Sequence, residues 1–445
     1  MERDFEAHLL AWRKSKHRKP MLLSGVRQCG KTYLLKKFGE EHYRQTVYVN
    51  FERQQEFHDL FERTLDPRRI IEQIALVSRD INADEPDTLY IFDEIQAAPK
   101  AVTALKYFAE ETPHLHVIGA GSLLGVSLPK DAASFPVGKV DIATLHPMSF
   151  SEYVRASGYQ RLLDEIIGES REETEEKLAS LVAPARSRLQ ELFHQFLLVG
   201  GMPEAVKRWI ETEDMAQVDY VHQQLLQAYR ADFAKHAPAT EIPKLNAIWE
   251  SIPAQLAKDN QKFVFGHAMK GKRAADLANA LQWLSDAGLV VMVPNVENPT
   301  IPLKASADPS KFKLYLADMG LLRAMAQLPP VKLEEITGYS TNFYGAIAEN
   351  YVLGELQKAG IDAYYWTSSG IAEVDFVVQV GAKIVPIEVK AAANPNAKSL
   401  ARYRDKYRPK LAFKISLKPY GKAGELVSMP HYCIPAFKTL VAGGA

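Results

Sequence analysis

Met21-Leu22-Leu23-Ser24-Gly25-Val26-Arg27-Gln28-Cys29-Gly30-Lys31-Thr32 is the stretch that decides the fold. Its first three residues read as a short apolar strand, and a helix is expected from Lys31 to about Gly39. Gly25 to Thr32 fits G-x-x-x-x-G-K-S/T at every fixed position. The two glycines let the backbone wrap with its N–H groups inward, forming an anion nest. The following helix points its positive end at the same place. Lys31 offers a mobile cation to β- and γ-phosphates, and the Thr32 hydroxyl offers an oxygen to Mg²⁺. The expected nucleotide-binding residues are therefore Gly25, Val26, Arg27, Gln28, Cys29, Gly30, Lys31, Thr32 and Tyr33.

The flanking sequence has the texture this motif needs. Residues 1–20 read as a short amphipathic helix followed by a basic stretch. Thr46 to Phe51 alternates as a second strand, Ile70 to about Ser78 reads as a helix, and Thr88 to Phe92 is a continuous apolar run ending in Asp93-Glu94. Val102 to Glu110 reads as a helix, and His116 to Ile118 opens another strand. Apolar strands alternating with helices mean a parallel α/β sheet covered on both faces. Asp93 is placed to hold magnesium, and Glu94 to orient or deprotonate the attacking water. In Gly119-Ala120-Gly121-Ser122, Ser122 is the candidate polar group near the γ-phosphate, although Gly-x-Gly-Ser also serves as a plain turn.

Composition narrows the alternatives. The chain has 445 residues, enough for about three domains. Lys plus Arg equals Asp plus Glu, at 54 each, so no global field draws it to nucleic acid or to a lipid surface. Its two cysteines, Cys29 and Cys433, give no disulfide framework and no zinc spacing. No run approaches the ~20 apolar residues of a membrane span. No signal core precedes Pro20. A cytoplasmic address and no membrane partner are expected.

Beyond Phe150 the sequence becomes helix-rich, with a charged run from Asp164 to Lys177. Arg273 to Val293 reads as a helix ending at Gly288 and then a strand, the pattern of a winged-helix-like module. Residues 294–312 read as a loop, and Ala326 to Thr341 as a linker. The last hundred residues return to α/β: a helix over Tyr344–Lys358, strands at 363–366, 374–380 and 383–389, a helix over 397–407 and a strand at 411–417. The expected domains are 1–150, 151–238, 239–330 and 338–445.

A second constellation lies in this last domain. Asp375 sits in EVDFVV and Glu388-Val389-Lys390 in IVPIEVK, on strands joined by a tight turn at Gly381. Side chains alternate along a strand, so Glu388 and Lys390 share a side. Asp375 and Glu388 are candidate ligands for a divalent metal, with Lys390 beside the water it activates. Glu349 on the preceding helix would complete the set. The bland alternative is a hairpin with surface ion pairs. Nearby, Lys398, Arg402, Arg404, Lys406, Arg408 and Lys410 accompany Tyr403 and Tyr407. These suit either a phosphate-contacting face or a helix with its tyrosines inward. Lys270-Gly271-Lys272-Arg273 is a second basic segment.

The ordered blocks LLSGVRQCGKTYLLKKF, YIFDEIQ, VIGAGSLLG, HPMSFSEYV, FLLVGGMPEAV, YRADFAKH, KLYLADMGLL and GAIAENYVLGEL resemble the prokaryotic AAA-type P-loop ATPases that carry a restriction-endonuclease-like C-terminal domain. The Asp375, Glu388 and Lys390 set resembles the PD-(D/E)XK motif, with Val374 where a proline often stands. The resemblance implies an α/β chain in three parts: an N-terminal AAA-type parallel sheet, a central helical and winged-helix-like region, and a nuclease-like α/β domain. It implies an ATP- and Mg²⁺-dependent hydrolase with catalytic Lys31 and Glu94. It also implies a C-terminal site of Glu349, Asp375, Glu388 and Lys390 for a second divalent metal. An arginine is expected near Gly138-Lys139, where this chain has lysine, which leaves Arg155 and Arg230 as candidate fingers. Nucleoside triphosphate and DNA are the expected partners, and self-association is left open. A nucleotide-dependent scaffold with a catalytically silent nuclease fold is the alternative. The length and the Asp93-Glu94 pair disfavour a small-molecule kinase.

Overall fold

The computed structural model describes residues 1–78, 80–83, 85–122, 135–330, 340–368, 372–391 and 398–442. The chain forms two compact units. One is Met1–Pro147 with Gln282–Leu289, and the other is Met148–Leu281 with Val290–Ala445.

The first unit is built on a five-stranded, wholly parallel sheet of β1 (Met21–Ser24), β2 (Gln45–Asn50), β3 (Thr88–Asp93), β4 (His116–Ala120) and β5 (Asp141–Thr144). Its order is β2-β3-β4-β1-β5. The apolar runs of β1 and β3 reflect burial on both faces. Aromatic residues fill one layer: Phe92 lies 5.5 Å from Phe61 and 5.8 Å from Phe108 between ring centroids. β3 is in register with β4 at Asp93↔Ala120, and β1 with β4 at Leu23↔Ala120. The glycine loop, Asp93 and Ser122 therefore emerge at one edge, the carboxyl ends of the strands, where ligands of open α/β sheets bind. Two elements are additions to the sequence reading. Helix Gln55–Arg63 buries Phe57 and Phe61, and β5 is an edge strand with Ile142 exposed.

The second unit begins with helices, the longest being Met215–His236. Its sheet has eight strands: β6 (Val290–Val296), β7 (Ala307–Leu316), β8 (Ala363–Ser368), β9 (Ala372–Val380), β10 (Lys383–Val389), β11 (Ala412–Ser416), β12 (Gly421–Ala423) and β13 (Leu426–Pro430). The order is β12-β13-β11-β10-β9-β8-β6-β7. β8, β9 and β10 form an antiparallel meander, and β11 joins β10 in parallel after helix Lys398–Tyr407. β6 and β7 form a hairpin that belongs to this sheet, because Asn295 and Val296 pair with Tyr365 and Trp366. Much of 294–312, expected as loop, is thus strand. Val293, Val296 and Phe312 are buried there, and their burial outweighs the prolines.

Several of the blocks quoted above meet in packing. Gly200 ends helix Ala183–Val199 with φ +74°. A Cβ there would lie 2.4 Å from Asp318 Oδ1, and one on Gly201 would lie 2.4 Å from Met148 O. Asp318 accepts from Gly201 N at 2.6 Å, and Glu355 accepts from Phe150 N at 3.0 Å. VGGMP, LADMG, PMSF and the helix Ser340–Lys358 are therefore one structural junction. Tyr403 and Tyr407 also turn inward, onto Trp366 at 5.2 and 5.9 Å, while Lys270, Lys272 and Arg273 are exposed. Leu123–Gly125 of the GAGSLLG block and residues 331–339 of the expected linker lie outside the described residues.

Candidate functional site

The loop between β1 and helix Lys31–His42 closes because its backbone reaches conformations few residues adopt. Gly30 has φ +96°, and a Cβ on Gly25 would sit 2.3 Å from Leu145 O. Gln28, at φ +65°, completes the turn. Lys31 is buried, and its Nζ donates to Gly25 O at 2.7 Å and Val26 O at 3.1 Å. The ammonium is therefore already folded over the loop, where backbone carbonyls hold it. Arg3 fastens the loop from outside, donating to Cys29 O at 2.8 Å and His146 O at 2.6 Å. Val26 and Cys29 are buried, Arg27 is half-buried, and Tyr33 is exposed.

β3 delivers Asp93 to the same edge. Its Oδ2 accepts from Thr32 Oγ1 at 2.7 Å and from Tyr48 OH at 2.8 Å, and its Oδ1 from Glu94 N at 3.0 Å. Thr32 and Asp93 offer the hard oxygen donors that Mg²⁺ takes, so the residues present fit it and would hold it. Glu94 occupies the left-handed region, at φ +49°. Its Oε2 accepts from Gln96 Nε2 at 2.6 Å. Burial raises its carboxyl above the ordinary range, with neighbouring Asp93 adding to the effect. Non-glycine residues in such conformations cluster at functional sites. Ser122 Oγ is buried with no partner, a polar group poised for a ligand. The structure thus brings Lys31, Thr32, Asp93, Glu94 and Ser122 to one strand edge. Tyr48 and Gln96 escaped the sequence reading, and only the alternation of β2 hinted that Tyr48 faces β3.

The candidate fingers are Arg155 and Arg230, with Lys139 where an arginine is expected. Lys139 pairs with Glu110 at 3.0 Å. Arg155 lies in helix Phe150–Ala156 and Arg230 pairs with Glu250, both in the second unit.

The C-terminal set is assembled by the sheet. β9 and β10 are in register at Phe376↔Ile387, which puts Glu388 beside Asp375. Asp375 Oδ2 accepts from Val389 N at 2.7 Å, and Lys390 Nζ lies 2.7 Å from Glu388 Oε1. Glu388 is 3% exposed, and its Oε2 is buried without a partner. Burial, then the charge of Asp375, raises its carboxyl to about 8. Burial pulls the Lys390 ammonium down, but Asp375 and Glu388 hold it above its ordinary value. Glu349 is buried too and is raised by that burial. It accepts from Gln261 Nε2 at 3.2 Å on Oε1 and from Tyr315 OH at 2.5 Å on Oε2.

Lys313, wholly buried, reaches Glu373 Oε1 at 2.6 Å and Glu349 Oε2 at 3.5 Å. Burial lowers its pKa, yet Glu349 and Glu373 carry it well above the usual value. Gln261, Lys313, Tyr315 and Glu373 were not expected here. Lys313 and Tyr315 share a side of β7, and Glu373 and Asp375 share a side of β9, but no spacing shows that these strands converge.

Among the described residues, three ligand atoms within 4.8 Å of one another occur at Glu6, Glu41 and His42. Glu349, Asp375 and Glu388 do not form such a group. Lys37 sits on Glu6 at 3.1 Å and Glu41 at 2.9 Å, so the first cluster is an ion-pair network.

Residues 17–154 match the family model described as an AAA domain. The chain is a P-loop nucleoside triphosphatase. Residues 190–332 and 344–432 match two models, each described as a domain of unknown function, DUF8612 and DUF4143. The AAA domain implies binding of ATP and Mg²⁺ in general. The Walker-type ATPase PABY2304 of Pyrococcus abyssi is similar at 16% identity and a TM-score of 0.43, over 73% of this chain and 95% of that one. AMPPCP-bound DnaA from Aquifex aeolicus is similar at 13% and 0.29, over 63% and 87%. The ORC1 protein of Aeropyrum pernix, in complex with DNA, is similar at 12% and 0.26, over 74% and 94%. No curated protein matches the chain. Among the described residues, no helix is long and apolar enough to cross a membrane.

Proposed function

We propose that this ATPase couples its nucleotide state to a nuclease-like C-terminal site that acts on nucleic acid, DNA being the expected target. At the loop, Lys31 exchanges its carbonyl partners for phosphate oxygens, and the backbone N–H groups of the glycine turn cradle the β-phosphate. When bound, Mg²⁺ neutralises charge on the β- and γ-oxygens, and Thr32 and Asp93 would hold it. Glu94 leaves Gln96 to take the proton of the attacking water, and Ser122 donates to the γ-phosphate. The raised carboxyl of Glu94 suits a general base.

For the C-terminal half, the observation that carries the reading is the placement of Asp375 and the Glu388–Lys390 pair on adjacent strands of a meander flanked by helices Ser340–Lys358 and Lys398–Tyr407. That order of elements and that residue set support the PD-(D/E)XK reading, in which a divalent ion polarises the scissile phosphate. Glu388 Oε2, buried and unpartnered, is a donor atom suited to such an ion. The test is plasmid nicking with Mn²⁺ and ATP by wild type and by Asp375→Ala. Cutting by wild type alone is expected, and equal cutting by both rejects the assignment. The second reading, a nucleotide-driven scaffold with a silent site, is favoured by Glu349, whose oxygens are already engaged by Gln261, Tyr315 and Lys313. It predicts no nicking and a protein partner released by Lys31→Ala.

A further inference from the structure

We infer that the ammonium of Lys313 is a built-in cation of the C-terminal carboxylate cluster, standing where a second divalent ion would otherwise sit, so that the cluster takes one divalent cation. This rests on the reading of that cluster as a metal site.

The first observation is burial. Lys313 is 0% exposed on β7. Removing an ammonium from water is unfavourable unless good partners offset it. Here the partners are Glu373 at 2.6 Å and Glu349 at 3.5 Å, with the ring of Tyr365 5.5 Å away. The lysine is fixed from both sides and cannot snorkel to solvent as surface lysines do.

The second observation is saturation of Glu349. Oε1 takes the Gln261 amide, and Oε2 takes the Tyr315 hydroxyl together with the Lys313 ammonium. An ion entering at Glu349 would have to displace these donors and lie against a fixed positive charge. Asp375 and Glu388 differ. Asp375 anchors only its Oδ2 on Val389 N, and Glu388 keeps Oε2 without a donor. The room for an ion is therefore on the β9–β10 side of the cluster.

The test counts Mn²⁺ bound to the nucleotide-free full chain by electron paramagnetic resonance, with Asp375→Asn as the reference that removes the C-terminal ion. Wild type is expected to hold one Asp375-dependent Mn²⁺. Lys313→Met is expected to hold two, and Lys313→Met/Glu349→Gln one again. Glu349→Gln alone is expected to keep the wild-type ion within about threefold in affinity, since Glu349 does not ligate it. This isosteric variant decides the matter should Lys313→Met not fold. Two Asp375-dependent ions on wild type, an unchanged count in Lys313→Met, or loss of the ion in Glu349→Gln overturns the inference. One ion on both wild type and Lys313→Met overturns the inference and leaves the nuclease reading standing. No Asp375-dependent ion on either protein overturns both.

Discussion

Asp93→Asn tests the nucleotide site most severely, because the substitution keeps the volume and removes only the charge and one acceptor. Asp93 is 2% exposed and takes three hydrogen bonds: Thr32 and Tyr48 on Oδ2, and Glu94 N on Oδ1. An asparagine has one oxygen. Turned toward Thr32 and Tyr48, it sets its NH₂ against the N–H of Glu94; turned the other way, it faces two hydroxyls. At least one donor therefore loses its acceptor, the N–H of Glu94 in the first orientation and both hydroxyls in the second, and the remaining bonds lose their charge. A hydrogen bond to a charged group contributes about 1.5–3 kcal/mol, so the nucleotide-free first unit should lose about 3 kcal/mol. For a domain of this size ~2–4 °C follows each kcal/mol, giving a fall of about 6–12 °C in its unfolding midpoint. Calorimetric scans read this, and repeating them with Mg-ATP reads the second consequence. Ligand stabilisation grows with affinity, and Asp93→Asn should abolish most of the ATP-induced rise. A variant that melts within about 1 °C of wild type and keeps the full ATP-induced rise refutes the role given to Asp93.

Other expectations follow from single contacts. Glu94→Gln should retain ATP binding and lose at least about a hundredfold in turnover, measured as phosphate release. In wild type, the rate should fall as pH drops through the raised value of Glu94, above the ordinary carboxylate range. Glu388, raised from 4.5 to about 8, favours the folded second unit fully below its unfolded value and loses that contribution as pH rises toward 8. Glu388→Gln should flatten the melting temperature of that unit between those pH values, and an unchanged slope would contradict the assignment. Gly201→Ala places a Cβ 2.4 Å from Met148 O and 2.9 Å from Met148 N. It should cost about 1–3 kcal/mol, as overpacking does, seen as a lower denaturant midpoint for the second unit.

The first site was legible because its chemistry sits in local sequence. The turn needs Gly25 and Gly30, and β1 and β3, buried on both faces, announce themselves as apolar runs ending at Ser24 and Asp93. β5 was not legible: four residues at a sheet edge, half exposed, leave no apolar run. Helix Gln55–Arg63 carried a usable signal in the spacing of Phe57, Leu60 and Phe61. At the second site, Asp375, Glu388 and Lys390 were visible because a hairpin keeps partners close in sequence. Lys313 was hidden because a lysine in a strand reads as a surface residue. Its burial and its ion pair with Glu373 of β9, a strand that β7 does not pair with, are tertiary and leave no trace in periodicity. The glycines of VGGMP let Asp318 and Met148 approach, a tertiary function with no local signature.

The central claim is that Lys31 leaves the carbonyls of Gly25 and Val26 for the phosphates of a bound triphosphate beside Thr32 and Asp93. Titration calorimetry of ATP into wild type and Lys31→Ala, each with and without Mg²⁺, measures it directly. The account predicts one magnesium-dependent site per chain in wild type and an affinity at least ~tenfold weaker in Lys31→Ala, about 1.4 kcal/mol or more. Equal affinity in the two proteins, or no heat from wild type at all, would contradict it.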